Sequence, residues 1–157
     1  MTATPSTARP TAAGVANLYS RDFYLLCRDR LAASGIMAQW WPLPAQNDED
    51  SRSLVRAFLD LFPHASAWST ELHEVLLVGS RRPLALDGAR VAARLAVPEV
   101  RSALAEVGVE SAEALLATWV TDREGLERYA GDAAPVTDDR PLTEQAAWVR
   151  RGELRRV

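Results

Sequence analysis

The run Val75-Leu76-Leu77-Val78, flanked by Glu74 and Gly79, constrains this chain more than any other feature. Four consecutive aliphatic residues are far too short for a membrane span. They fit a strand covered on both faces. A weaker strand, residues 64–69, precedes the run by a few residues. So short a connection makes the two strands antiparallel neighbours, because a parallel pair needs a crossover of a dozen or more residues. A strand with two covered faces also needs helices to cover it.

The upstream text supplies them. Over residues 20–33, Phe23, Leu26, Cys27 and Leu31 recur at helical spacing, with Ser20 placed as N-cap, Asp22 in the first turn and Gly35 placed to stop the helix. Residues 36–41 read as a short strand ended by Pro42. A polar loop (46–53) leads into a second helix over 50–62, in which Leu54, Val55, Phe58, Leu59 and Phe62 are apolar and which Pro63 breaks. The order helix-strand-helix-strand-strand predicts an α/β layer fold. Beyond Pro83 the character changes to short helical segments over 87–95, 98–107, 111–120 and 122–130. Pro98, Gly108, Ser111, Asp122 and Gly131 punctuate them. Residues 132–147 are polar, and the tail 148–157 carries four Arg and reads as a frayed helix with a solvated basic face. The division expected is a flexible segment (1–16) with no signal-peptide core, an α/β part (17–82) and a helical C-terminal region (83–157).

Composition narrows the chemistry. A net charge of -3 and a pI near 5.4 argue against a nucleic-acid partner. No run reaches the roughly 18 apolar residues of a membrane span. The single cysteine, Cys27, excludes an internal disulfide framework and suits a reducing, cytoplasmic compartment. All 18 basic residues are Arg, which removes Schiff-base, P-loop and lysine-base mechanisms. With two His and one Cys, no Cys/His metal site is expected. The eight glycines are scattered singly, so neither GxGxxG nor GxxxxGK[ST] occurs.

Individual residues carry weaker signals. Cys27, on the apolar helix stripe, reads as a core thiol. His64 and His73 read as surface or loop side chains, since "HE" lacks the second His of HExxH. Thr137-Asp138-Asp139-Arg140-Pro141 reads as a turn with an Arg pairing rather than an acid/base dyad. Gln39-Trp40-Trp41 closes the first strand, where α/β sheets hold ligands. Either Gln39 hydrogen-bonds a ligand that the tryptophans wall, or the tryptophans pack and Gln39 meets solvent. Trp68, at the end of the next strand, has the same two readings.

The ordered series Asn17-Leu18-Tyr19-Ser20-Arg21-Asp22-Phe23-Tyr24, Cys27-Arg28-Asp29-Arg30-Leu31, Gly35-Ile36-Met37-Ala38-Gln39-Trp40, Phe62-Pro63-His64, Trp68, Leu76-Leu77-Val78-Gly79-Ser80 and Thr137-Asp138-Asp139-Arg140-Pro141 resembles the polyamine-synthase family, more narrowly bacterial spermidine synthase-like proteins. The resemblance spans roughly residues 10–145. It implies the C-terminal half of a methyltransferase-like Rossmann sheet, with 36–41 as the fifth strand and 64–79 as the closing hairpin. The family transfers an aminopropyl group from decarboxylated S-adenosylmethionine to a diamine such as putrescine.

By that resemblance Gln39, Trp40 and Trp68 line the amine pocket, Gln39 matching a family Gln and Trp68 standing where the enzymes carry a Tyr. The glycine-rich cofactor loop is not among these residues. The position of the catalytic Asp falls near Ser6, and no acid precedes Arg21. No catalytic or cofactor-binding residue is therefore expected in the chain, and activity alone is not expected. The expected partner is a separately encoded N-terminal half or a second copy, because strand 36–41 would otherwise present an open apolar edge. Two other readings stand beside this one: a non-catalytic binding module, and a coding sequence whose start lies upstream.

Overall fold

The computed structural model describes residues 16–42, 47–71 and 74–140. Expectations for the N-terminal lead-in, His73 and the Arg-rich tail lie outside them. Among the described residues the fold is mixed α/β, with six α-helices and one four-stranded antiparallel sheet.

A short 3-10 turn, Ala16–Tyr19, leads into helix α1 (Arg21–Arg30). Ser20 caps it as the sequence predicts, its hydroxyl accepting from the Phe23 N–H at 3.1 Å. Strand β1 (Ile36–Pro42) follows, then helix α2 (Asp48–Leu59), capped by the Asn47 side chain. Strands β2 (His64–Glu71) and β3 (Glu74–Ser80) are the antiparallel hairpin read from the short connection. The helices α3 (Gly88–Leu95), α4 (Pro98–Ala105) and α5 (Ala112–Ala117) start close to the expected segment starts, α4 with Pro98 leading it and α5 capped by Ser111.

The sequence reading runs a helix through residue 120. The chain instead leaves α5 at Ala117 and forms strand β4 (Trp119–Asp122) before α6 (Arg123–Ala130). Trp119, Val120 and Thr121 are β-formers, and an available edge of β2 decides their state. Asp122 then caps α6 by accepting from the Gly125 N–H at 3.0 Å.

The sheet order is β1-β3-β2-β4. Because β3 is antiparallel to both neighbours, β1 and β2 run parallel to each other. The outer edge of β1 has no strand partner among the described residues.

Pleating divides the sheet into two unlike faces. The inner face carries Met37, Gln39 and Trp41 of β1, Ala67 of β2 and Val75 and Leu77 of β3, all buried. Phe58 and Phe62, which begin and end the last turn leading out of α2, pack there with ring centroids 4.7 Å apart, and Tyr24 of α1 meets Phe58 edge-on at 5.2 Å. Leu126 and Ala130 of α6 and Val136 join the same core. The region expected as a helical extension is thus in two parts: α3–α5, in which Leu95 is the buried hydrophobe, and β4–α6 with the 132–137 segment, which completes the core.

Arg56 and Arg123 tie α6 to α2. Arg56 bonds Glu127 at 2.7 Å and the Gly131 carbonyl at 2.6 Å. Arg123 donates to the Leu59 and Phe62 carbonyls and to Glu127. The Thr137–Arg140 turn is closed by the Arg140 N–H on the Thr137 carbonyl, and it docks on α1 through the Asp138 N–H to the Asp22 carboxylate. The expected Arg140 ion pair is not among the salt bridges of the described residues.

Candidate functional site: a tryptophan-floored groove

The outer face of the sheet is the floor of a groove of about 1500 Å³. Its far wall comes from residues 83–86 and from the α4–α5 region, including Val107, Val109 and Leu115. The apolar run of β3, expected to be covered on both faces, is covered on one: Val75 and Leu77 are buried, while Leu76 and Val78 are half-buried and face the groove.

Register explains how the site is assembled. Leu76 pairs with Trp40 on one side and Trp68 on the other, and Trp68 pairs with Trp119 of β4. Directly paired residues share a face, so Trp40, Leu76, Trp68 and Trp119 form one row across all four strands. Neighbouring strands lie about 4.8 Å apart, so the row is roughly 14 Å wide. The next row, Ala38, Val78, Ser66 and Asp122, continues the floor toward the amino ends of β1 and β2.

Glu74 lies two residues from Leu76, on the same face and toward the carboxyl ends of β1 and β2. The Trp40 indole N–H donates to Glu74 Oε2 at 2.9 Å, and the Trp68 indole N–H donates to Ser66 Oγ at 2.8 Å. Both indoles are therefore held by internal bonds, that of Trp40 to the Glu74 carboxylate and that of Trp68 to Ser66.

The structure separates the three residues that sequence reasoning grouped. Trp40 and Trp68 line the groove; Gln39 does not. Gln39 neighbours Trp40 along a pleated strand and so points to the opposite face. There it is fully buried, and its Nε2 donates to the Trp40 carbonyl at 3.2 Å. Nor does it meet solvent, as the alternative reading had it. Its side chain bonds Tyr19, whose hydroxyl is pushed up to about 12 by burial, with the Gln39 bond a smaller opposing effect. Burial, with minor contributions from Tyr19 and Cys27, also pushes the Tyr24 hydroxyl well above its ordinary range. Among the described residues, Gln39 Oε1, Tyr24 Oη and Trp41 Nε1 are buried without a hydrogen-bond partner.

Two groove residues escaped the sequence reading. Trp119 was placed at a helix end, so its strand register was invisible. Glu74 was legible in principle, because Glu74, Leu76 and Val78 alternate with the buried set at period two. His64 sits half-buried at the groove's edge. Cys27 lies partly under the α1 stripe, and burial raises its thiol pKa against the opposing pull of Arg30. That makes it a poor nucleophile. Among the described residues no group of three or more His, Cys, Asp or Glu can hold a metal, and no helix is long and apolar enough to cross a membrane. The chain matches no family model, no curated protein and no solved structure.

Proposed function

We propose that this chain is the closing half of a spermidine synthase-like domain, and that it supplies the amine side of the active site without the catalytic base. The observation that carries the reading is the Glu74 carboxylate bonded to the Trp40 indole at the carboxyl ends of β1 and β2, with Trp68 on the same sheet face in the adjoining row. A carboxylate beside an indole suits an ammonium group, by charge and by the attraction of a cation to an aromatic face.

The element order supports the same reading. The sequence α1-β1-α2-β2-β3 follows the resemblance from the helix before the fifth strand to the closing hairpin. β1 has one side paired to β3 and one side open, as a fifth strand awaiting a fourth requires. Decarboxylated S-adenosylmethionine would be the co-substrate. Its glycine-rich loop and the acid that deprotonates the amine would come from the other half. Gln39 takes a different role from the one the resemblance implies: it braces β1 from beneath through Tyr19 and the Trp40 carbonyl.

The test is aminopropyl transfer to putrescine, measured with the chain alone and mixed with a polypeptide carrying the loop and the acidic strand. We expect no turnover alone and turnover in the mixture. Trp68→Ala should lower it by about tenfold, the loss of one aromatic–ammonium contact of ~1–2 kcal/mol. Turnover indifferent to both Trp68→Ala and Glu74→Gln would sink the site assignment. The absence of an acid before Arg21 favours a second reading, a binding module that holds amines without transforming them. Amine binding by a chain that stays inactive in every mixture would favour it.

A further inference from the structure

We propose that the groove binds an amphipathic organic cation: a single ammonium group at Glu74, carrying a long apolar body along the Trp40-Leu76-Trp68-Trp119 row. A hydrophobic primary amine fits that description along its whole length, whereas a short diamine reaches only the Glu74 corner. The inference shares the Glu74 corner with the reading above, but it needs neither the aminopropyl donor nor a second half.

Size is the first argument. Small-molecule sites usually enclose roughly 300–1,000 Å³. This groove holds about 1500 Å³, so a four-carbon chain would leave most of it to water.

The floor is the second. Beyond Glu74 it presents Leu76, Val78, Ala38 and three indoles, and the N–H groups of Trp40 and Trp68 are already bonded inside the protein. A hydroxylated or highly polar ligand would lose hydrogen bonds to water and recover few here.

Charge is the third argument, and it selects both sign and number. The ionisable groups around the groove are Glu74, Glu106, Asp122, Glu124, Arg123 and His64. The Arg123 guanidinium is already engaged by the Leu59 and Phe62 carbonyls and by Glu127. With four carboxylates nearby and that arginine spent, the groove repels an anion such as a fatty acid.

The acids are not equivalent as cation partners. Asp122 caps α6, and Glu124 is paired with Arg128 at 2.6 Å. Glu106 is exposed on the wall side. Glu74 is half-buried, stands on the floor and uses Oε2 for Trp40, which leaves its other oxygen outside that bond. One ammonium therefore has a prepared partner beside aromatic rings, and a second has none of equal quality.

The experiment titrates the 157-residue chain with n-butylamine, n-octylamine, n-octanoate, 1-octanol and putrescine, following tryptophan fluorescence and heat. We expect saturable one-to-one binding of octylamine. It should be tighter than octanoate by at least about tenfold, since a like charge opposite carboxylates is penalised. Octylamine should also exceed butylamine, by up to about fourfold for each added methylene, which is 0.8 kcal/mol of burial converted to affinity. Putrescine should bind more weakly than octylamine.

Glu74→Gln keeps an acceptor for Trp40, so the fold should hold while the preference for octylamine over 1-octanol disappears. Trp119→Ala, at a residue 48% exposed, should flatten the chain-length dependence without unfolding the protein. Equal binding of octylamine and octanoate overturns the proposal. So does putrescine binding more tightly than octylamine, or a Glu74→Gln protein that still prefers the amine. Failure to bind any of the five probes also overturns it. Octylamine binding by a chain that supports no aminopropyl transfer even when mixed with the polypeptide carrying the loop and the acidic strand would refute the earlier reading and leave this one standing.

Discussion

Gly79 offers a quantitative test of how the core meets the sheet. It lies on the inner face of β3, paired with Met37 on β1 and Ala65 on β2. A Cβ at this position would sit 2.6 Å from Phe58 Cζ and 2.8 Å from Phe62 Cβ. Carbon atoms pack comfortably at about 3.5–4.0 Å, so Gly79→Ala demands roughly an ångström of movement. Phe58 has nowhere to retreat, since it is fully buried with Tyr24 on one side and Phe62 on another.

Overpacking of this kind costs about 1–3 kcal/mol. Removing a strand glycine returns ~0.5–1 kcal/mol through the unfolded chain, so a net loss of about 1 kcal/mol is expected. For a chain of this size that lowers the melting temperature by roughly 2–4 °C. Circular dichroism melts and urea titrations would measure it, with the midpoint shifted and the urea slope unchanged. Phe58→Leu removes the ring that the new methyl strikes. The double variant should therefore be more stable than the two single losses predict, by about 1 kcal/mol or more. A Gly79→Ala protein melting within about 1 °C of the parent, or two losses that simply add, would refute the argument.

Two further outcomes follow from the same geometry. Arg123→Lys replaces a fork that reaches the Leu59 carbonyl at 3.1 Å, the Phe62 carbonyl at 2.6 Å and Glu127 at 2.6 Å with a single ammonium. We expect a loss of about 1–2 kcal/mol in urea unfolding, and an unchanged midpoint would show that the bridge contributes nothing. The buried tyrosines set an alkaline limit. Tyr19 ionises at about 10 in the unfolded chain and at about 12 in the fold, because burial disfavours the phenolate. The folded state therefore holds more protons in that window. Stability is complete below pH 10 and falls as pH rises toward 12. Tyr19→Phe should move the alkaline unfolding midpoint upward, and a midpoint that stays put would refute the assignment.

Local chemistry along the chain determined a good deal by itself. Ser20, Asp87, Ser111 and Asp122 cap helices where they stand, because a cap is a contact across two or three residues. The short link between β2 and β3 left antiparallel pairing as the sole arrangement. Other features depend on contacts far apart in sequence. Trp119 is a strand residue because β2 had an edge for it to join. Gln39 and Trp40 are adjacent in the chain, yet the pleat sends one into the core and the other to the groove. Leu76 and Val78 read like Val75 and Leu77 in a run of aliphatic letters. Helices cover one face of that strand and leave a 1500 Å³ groove on the other, a difference that no window of neighbouring residues records. Residue type told which side chains can hold an ammonium or wall an apolar body. Register across four strands decided that Trp40, Glu74, Trp68 and Trp119 line one groove, because side chains meet across a sheet by pairing and not by proximity in the chain.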